Sequence, residues 1–248
     1  MSWRIINEGE FEEATHHALD EVLIDRMNDG TIPPTLRFWY RSRPAVPLGR
    51  FQAYADEVAV DYVEANDIDV IRRITGGGAM FVEPGAVITY SMYLPREDVT
   101  EEVEASYEGL NQWAIDALNE LGLAVEHEPL NDIAHPEGKI GGAAQLRRSD
   151  AVLHHVTMSY SLNIREMLRV LRIGQEKVSD KAVKSAEKRV AVMRDHIDQS
   201  RSAVIDQLID HFQSVYGGEL GAYEDDELEA AEALAASKFR TDDWNKQL

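Results

Sequence analysis

The run Arg72-Arg73-Ile74-Thr75-Gly76-Gly77-Gly78-Ala79-Met80-Phe81 sets two fixed positive charges beside backbone that is almost bare of side chains. Three successive glycines permit positive φ and let turned N–H groups converge on an anion, which outlines a phosphate cradle. Residues 69–71 read as a strand leading into this turn. Residues 87–94 alternate Ile88, Tyr90, Met92 and Leu94 with Val87, Thr89, Ser91 and Tyr93, and so read as a half-buried strand leaving it. The order strand, glycine-rich loop, strand excludes a Walker loop and a Rossmann turn. Both need a helix N-terminus directly after the glycines, and both need spacings this run lacks.

A chain of 248 residues buries a sizeable core without staples, and no boundary divides it, so one domain spanning 1–248 is expected. It contains no cysteine, which removes disulfides, thiolate metal sites and every mechanism with a cysteine nucleophile. The first eight residues form no apolar leader, and no run approaches the roughly 18 apolar residues of a membrane helix. No membrane association and a cytoplasmic location are expected. The 45 acidic against 25 basic residues, a net of −20, argue against nucleic acid as a partner, because that affinity comes from neutralising phosphates. Stretches such as Glu224-Asp225-Asp226-Glu227 fit a solvated surface, and the acidity fits a halophilic source, where salt screens the self-repulsion.

Residues 10–27 place Phe11, Ala14, Ala18 and Val22 on one helix face. Residues 36–40 and 45–48 read as strands, the second running into Gly49-Arg50-Phe51-Gln52. Thr100 is the expected N-cap of a helix carrying Val103, Tyr107, Leu110, Ala114, Leu118 and Leu121 to Gly122. Residues 140–146 and 152–162 read as strands. The final third is helical, with Val204, Ile205, Leu208, Ile209, Phe212 and Val215 in one stripe closed by Gly217-Gly218. The fold class implied is α/β in the α+β sense: a mixed, largely antiparallel sheet flanked by helices.

A second glycine-rich segment, Gly138-Lys139-Ile140-Gly141-Gly142-Ala143-Ala144, sets one lysine before four small residues against which a ligand can lie. Upstream, Asn131 and Asp132 offer oxygens of the kind Mg²⁺ accepts beside substrate phosphates. His154 and His155 fall in a strand and must face opposite sides, so one metal cannot hold both rings. Residues 165–194 carry nine basic side chains against four acidic ones, either a solvated face or a closing segment for an anionic ligand.

In this order the segments resemble the lipoate–protein ligase A family, within the biotin and lipoate ligase superfamily. The resemblance rests on Gly49-Arg50-x-Gln52, the Arg72 to Phe81 run, Tyr90-Ser91, Asn131-Asp132, Lys139-x-Gly141-Gly142-Ala143-Ala144, His154-His155-x-Thr157, and Val183-Lys184-Ser185 with Arg189-Val190. It implies a class II synthetase and biotin ligase-like catalytic domain that converts lipoate and Mg²⁺-ATP to lipoyl-AMP and pyrophosphate. The acyl group then passes to a lysine of a lipoyl domain, as in 2-oxoacid dehydrogenase E2 or the glycine cleavage H protein. Lys139 would bridge the lipoyl carbonyl and α-phosphate as the catalytic residue. Arg73, Thr75, Gly76, Gly77, Gly78, Ala79, Met80 and Phe81 would hold the nucleotide and acyl group, with Gly141, Ala143, Ala144 and His155 opposite. Arg50, Lys184 and Arg189 would be accessory, and Asn131 and Asp132 would hold Mg²⁺.

Three positions depart from the family pattern. Val82 replaces a histidine near the phosphates, Ala143 a hydroxyl residue, and Val156 a glycine, which would narrow the acyl pocket. The resemblance also ends where many members continue into an accessory domain, so a separate accessory subunit is expected. A ligase acting on biotin or octanoate, or a catalytically weak lipoate-binding homologue, are the alternatives. The superfamily's octanoyltransferases work through an acyl-cysteine, which this chain cannot form.

Overall fold

The computed structural model describes residues 2–172 and 189–248. The readings placed on Val183, Lys184 and Ser185, and on the middle of the basic segment, lie outside them. The chain begins with β1 (Arg4–Ile6), β2 (Glu10–Phe11) and α1 (Glu13–Asn28), followed by β3 (Thr35–Phe38), β4 (Tyr40–Arg41) and β5 (Ala45–Leu48). Two short helices, α2 (Tyr54–Glu57) and α3 (Val60–Ala65), precede β6 (Asp69–Arg72) and the long β7 (Val87–Pro95). Helix α4 (Val103–Glu120) leads to β8 (Glu126–Glu128), β9 (Asp132–His135), β10 (Gly138–Arg147) and β11 (Ala151–Ser159). After α5 (Ile164–Val170) come α6 (Arg201–Tyr216), β12 (Glu219–Gly221), α7 (Asp225–Leu234), a π-helical turn over Ala235–Phe239, and α8 (Asp242–Asn245).

Among the described residues eight strands form one sheet in the order β12-β1-β3-β7-β11-β10-β9-β8. The β12-β1-β3 pairings are parallel and the rest antiparallel, which is the mixed, largely antiparallel sheet expected. Helices α4 and α6 cover one face, closing a core around Tyr90, Trp113, Val156, Leu208 and Phe212. Helix α1 covers the other, backed by α7 and the π-helical turn. No helix among the described residues is long and apolar enough to cross a membrane.

Strand β7 is buried on both faces, not half-buried. Its Ile88, Tyr90 and Met92 enter the apolar core, while Ser91 and Tyr93 point at α1, where Asp20 takes both hydroxyls. Helix α1 starts at Glu13 because Glu10–Phe11 pairs with Tyr40–Arg41 as a strand. The α4 cap is Glu102, whose carboxylate accepts from Glu104 and Ala105 N–H, in place of Thr100. Val215 is 52% exposed and drops out of the α6 stripe, and β11 ends at Ser159.

Candidate active site

The first glycine turn hangs from a parallel pair. Leu48 of β5 registers with Arg72 of β6, and Arg73 N–H donates to Leu48 C=O at 2.9 Å. The two arginines then do different jobs. Arg72 is fully buried and donates to the carbonyls of Gly49, Arg50, Gln52, Trp244 and Asn245, tying the loop after β5 to the chain's last helix. It meets no ligand. Arg73 is buried as well and donates to the carbonyls of Pro47, Gly76 and Gly78 and to Thr75 Oγ1. Burial pulls its guanidinium down to about 10. Arg73 therefore shapes the turn from within and does not reach out as a free phosphate clamp. A trans peptide sets C=O and N–H on opposite sides, so carbonyls held by Arg73 turn the Gly77 and Ala79 N–H groups away from it. Gly49 completes the packing: a Cβ there would lie 1.9 Å from Gly77 C=O.

The second glycine segment is strand and not loop. Lys139 lies within β10, with a register shift between it and Gly141. Its ammonium donates to Asp132 Oδ1 at 2.5 Å while remaining 46% exposed. Gly142 leaves room for it, since a Cβ there would stand 3.0 Å from Lys139 Nζ. Asn131 spends its amide on Ala143 C=O. Arg189 and Val190 run alongside in parallel, with Lys139 N–H donating to Arg189 C=O and Lys139 C=O accepting from Ala191 N–H. The described end of the basic segment thus borders Lys139.

The two segments wall a common space. An inner cavity of roughly 140 Å³ is lined by Arg73, Gly77 and Gly78 on one side and Gly142, Ala144 and His155 on the other. An outer cavity of roughly 210 Å³ takes Phe81, Gly141, Leu162, Met167 and Val190. Ala79, Met80, Lys139, Gly142 and Thr157 line both. Thr75 lies beneath the turn, and Gly76 and Arg50 line neither cavity; Arg50 stacks over Trp244 at 4.2 Å. Ala143 lines the inner cavity. Val156 does not narrow it, because the alternation of β11 turns that side chain into the core against α4. Val82 is buried beside Ala45 and Val87 and lines neither cavity.

The histidines diverge as strand alternation requires. His154 is buried against Asn111 Oδ1 at 3.0 Å and Gln145 Nε2 at 3.2 Å, and burial, helped by His155, lowers its imidazole to about 3. His155 faces the cavity, its Nδ1 2.9 Å from Asp20 Oδ2 and its Nε2 2.9 Å from Thr75 Oγ1. Burial pushes its pKa down against the pull of Asp20, and Arg73 adds to the drop. Asp20 is raised by burial, but His155 and Arg37 outweigh that and hold it below the usual carboxylate range.

Sequence reasoning passed over a whole wall. Glu13 and His17 of α1, Trp39, Arg41 of β4 and Thr89 of β7 line the inner cavity. Its signal lay in α1, where Glu13, His16, His17 and Asp20 recur at helical spacing on a second buried stripe beside the apolar one. Among the described residues no three His, Cys, Asp or Glu side chains stand together as a metal site.

The site is thus a pair of glycine-walled cavities that share Lys139. The family model described as Lipoyl protein ligase A/B catalytic domain matches residues 12–213, and the chain belongs to that family. It is 32% identical over 245 residues to lipoate-protein ligase A subunit 1 of Thermoplasma acidophilum, covering 93% of this chain and 91% of that one. It is 25% identical to octanoyltransferase LipM of Halalkalibacterium halodurans, covering 98% of each. Among solved structures, the bi-partite lipoate protein ligase of T. acidophilum, studied with its E2 lipoyl domain, superposes with a TM-score of 0.89 at 30% identity, covering 99% of this chain and 96% of that one. A T. acidophilum protein with bound lipoic acid gives 0.83 at 27%, covering all of both. A lipoate-protein ligase A bound with ATP gives 0.85 at 28%, covering 99% of each.

Proposed function

We propose that this chain uses ATP to convert lipoate to lipoyl-AMP and pyrophosphate, then passes the acyl group to a lysine of a lipoyl domain. The observation that carries the reading is the place of Lys139, between two glycine-rich walls where the cavities adjoin. Lipoic acid and ATP in its structural neighbours support this ligand pair. The inner cavity would hold the acyl chain and the outer one the nucleotide.

In the first step a carboxylate oxygen bonds to the α-phosphorus while the bond to the pyrophosphate oxygen breaks, and that electron pair leaves with pyrophosphate. Both reactants are anions, so the barrier falls when a fixed cation and oriented N–H dipoles face the developing charge. Lys139 would supply the cation, leaving Asp132 for the bridge between carboxylate and phosphate. The Gly77 and Ala79 N–H groups would supply the dipoles. In the second step the acceptor's ε-amine attacks the acyl carbonyl, AMP departs with the electron pair, and the nitrogen loses a proton. Mg²⁺ would neutralise charge on the triphosphate. Asp132, beside Lys139, and Asn131 Oδ1, which the Nδ2–H bond to Ala143 C=O does not occupy, would share it, and the phosphates themselves would provide most ligands.

The bi-partite Thermoplasma ligase supports a catalytic domain, 1–248, that works with a separate subunit and an E2 lipoyl domain as acceptor. An octanoyl transfer through cysteine has no nucleophile here. The test is incubation with ATP, Mg²⁺, lipoate and a lipoyl domain, with and without such a subunit, followed by mass spectrometry of the acceptor and a pyrophosphate assay. Lipoate-dependent pyrophosphate release and a lipoyl mass gain are expected. Lipoate binding without release under both conditions would instead make the chain a binding homologue.

A further inference from the structure

Behind the first glycine turn runs an unbroken line of buried hydrogen bonds that the proposed chemistry does not use. It starts at Asp20 of α1, whose two carboxylate oxygens have separate duties. Oδ1 accepts from Arg37 Nη2 at 2.9 Å, Ser91 Oγ at 2.8 Å and Tyr93 Oη at 2.5 Å, while Oδ2 faces His155 Nδ1 at 2.9 Å. Burial raises Asp20, but His155 and Arg37 outweigh it and keep the group ionised. A carboxylate can only accept, so His155 carries its proton on Nδ1 and leaves Nε2 bare. On the far side of the ring Nε2 stands 2.9 Å from Thr75 Oγ1, which already accepts from Arg73 Nε at 3.0 Å, so the Thr75 proton points at the imidazole. Arg73 in turn holds the Gly76 and Gly78 carbonyls from Nη2 at 2.7 and 2.9 Å. Asp20, Arg73, Thr75 and His155 are all buried, and water does not compete for these bonds.

We infer that Asp20 is a positioning residue for the nucleotide: through His155 and Thr75 it sets the Arg73 guanidinium, and through Arg73 it aims the Gly77 and Ala79 N–H groups at the phosphates. This rests on reading the turn as the nucleotide's. Every donor in the line points the same way, from Arg73 toward Asp20, the arrangement in which successive hydrogen bonds polarise one another. The line thereby joins a buried cation to a buried anion through two neutral side chains. Arg73 draws otherwise on the carbonyls of Pro47, Gly76 and Gly78, which carry no charge. The opposite imidazole tautomer would undo the arrangement. His155 and Arg73 would then both donate to Thr75 Oγ1, the Thr75 proton would lose its acceptor, and Nδ1 would set a lone pair against Asp20 Oδ2.

Two measurements on the full chain test the line and its consequence separately. Nitrogen-15 correlation spectra of the imidazoles at about pH 8, above the ordinary imidazole range, are expected to show His155 protonated on Nδ1 and bare on Nε2, with its signals assigned by their loss in His155→Gln. In Asp20→Asn the Arg37, Ser91 and Tyr93 donors keep the amide oxygen, the amide nitrogen turns its hydrogens to His155, and the pattern should reverse. Calorimetry with ATP is expected to show binding weakened at least about tenfold by Thr75→Val, which removes the hydroxyl, the consequence of losing one hydrogen bond to a charged group. Thr75→Ser should restore most of that affinity, and lipoate should lose less than ATP. A proton on Nε2 in the unmutated chain, or ATP held as tightly by Thr75→Val as by the unmutated chain, would overturn the inference and leave the ligase reading intact. If the unmutated chain does not bind ATP, the nucleotide reading falls and takes the inference with it.

Discussion

Single residues set the geometry of the site by what they exclude and what they pair. Gly49→Ala would drive a Cβ into the Gly77 carbonyl, and two backbones cannot both yield. A stability loss of about 2 kcal/mol or more is expected, read as a lower urea midpoint at an unchanged slope. Lys139→Ala is expected to cut lipoate-dependent pyrophosphate release by about 10²-fold or more with little change in urea midpoint, since the exposed ammonium contributes little to folding. A drop of only a few fold would remove Lys139 from the bridging role. Asp20 is the buried hub: its Oδ1 accepts from Arg37, Ser91 and Tyr93, and its Oδ2 faces His155. Asp20→Asn leaves the Arg37 charge without its counterion, and a cost of about 3–5 kcal/mol is expected in the same urea titration. The polar stripe of α1 that holds this hub was legible in principle, because carboxylates and imidazoles at helical spacing cannot all be solvent-facing on a helix buried on two sides.

At the scale of elements, the site is the product of strand alternation and of helix ends held in place. β11 sends His154 into the core and His155 to the cavity, so adjacent identical residues acquire unrelated environments. Helix α6, which closes the core face opposite the cavity, begins at Ser200, whose hydroxyl accepts from Ala203 N–H. Ser200→Ala should destabilise the fold by about 1 kcal/mol through the lost cap, checked by thermal denaturation, and leave acid binding unchanged. The boundaries of α1 and α4 shifted from their sequence-based positions because Glu10–Phe11 found a strand partner and Glu102 reached N–H groups that Thr100 does not. Such choices are made by neighbours distant in the chain.

For the whole molecule, the buried histidines and carboxylates with lowered pKa values make stability fall on acidification. His16, His154 and His155 all have folded pKa values below their ordinary 6.5, and Glu13 and Asp20 lie below their ordinary 4.5 and 3.8. In each case the unfolded chain binds protons first on acidification, so stability is full above the unfolded values and lost as pH falls. The thermal midpoint should begin to fall near pH 6.5 and fall faster below about 4.5. His154, held down to about 3, accounts for about 2 kcal/mol of the loss at pH 5, and His154→Gln should flatten that part of the curve. A midpoint that rises between pH 6.5 and 5 would contradict this assignment. The net charge of −20 acts separately, and the midpoint should climb as salt screens it.

Local chemistry written in the chain was enough to determine the first glycine turn, the strands β5, β6, β7 and β10 with most of their limits, and the exclusion of cysteine chemistry. Those features depend on residue type and short spacing, which sequence carries directly. Tertiary structure alone decided that Arg72 is a buried tie and Arg73 an internal brace, that Val156 belongs to the core, and that Glu13, His17 and Arg41 line the inner cavity. Each of these depends on which distant carbonyl, strand or carboxylate comes within hydrogen-bonding distance, and only packing the sheet against α1 fixes that.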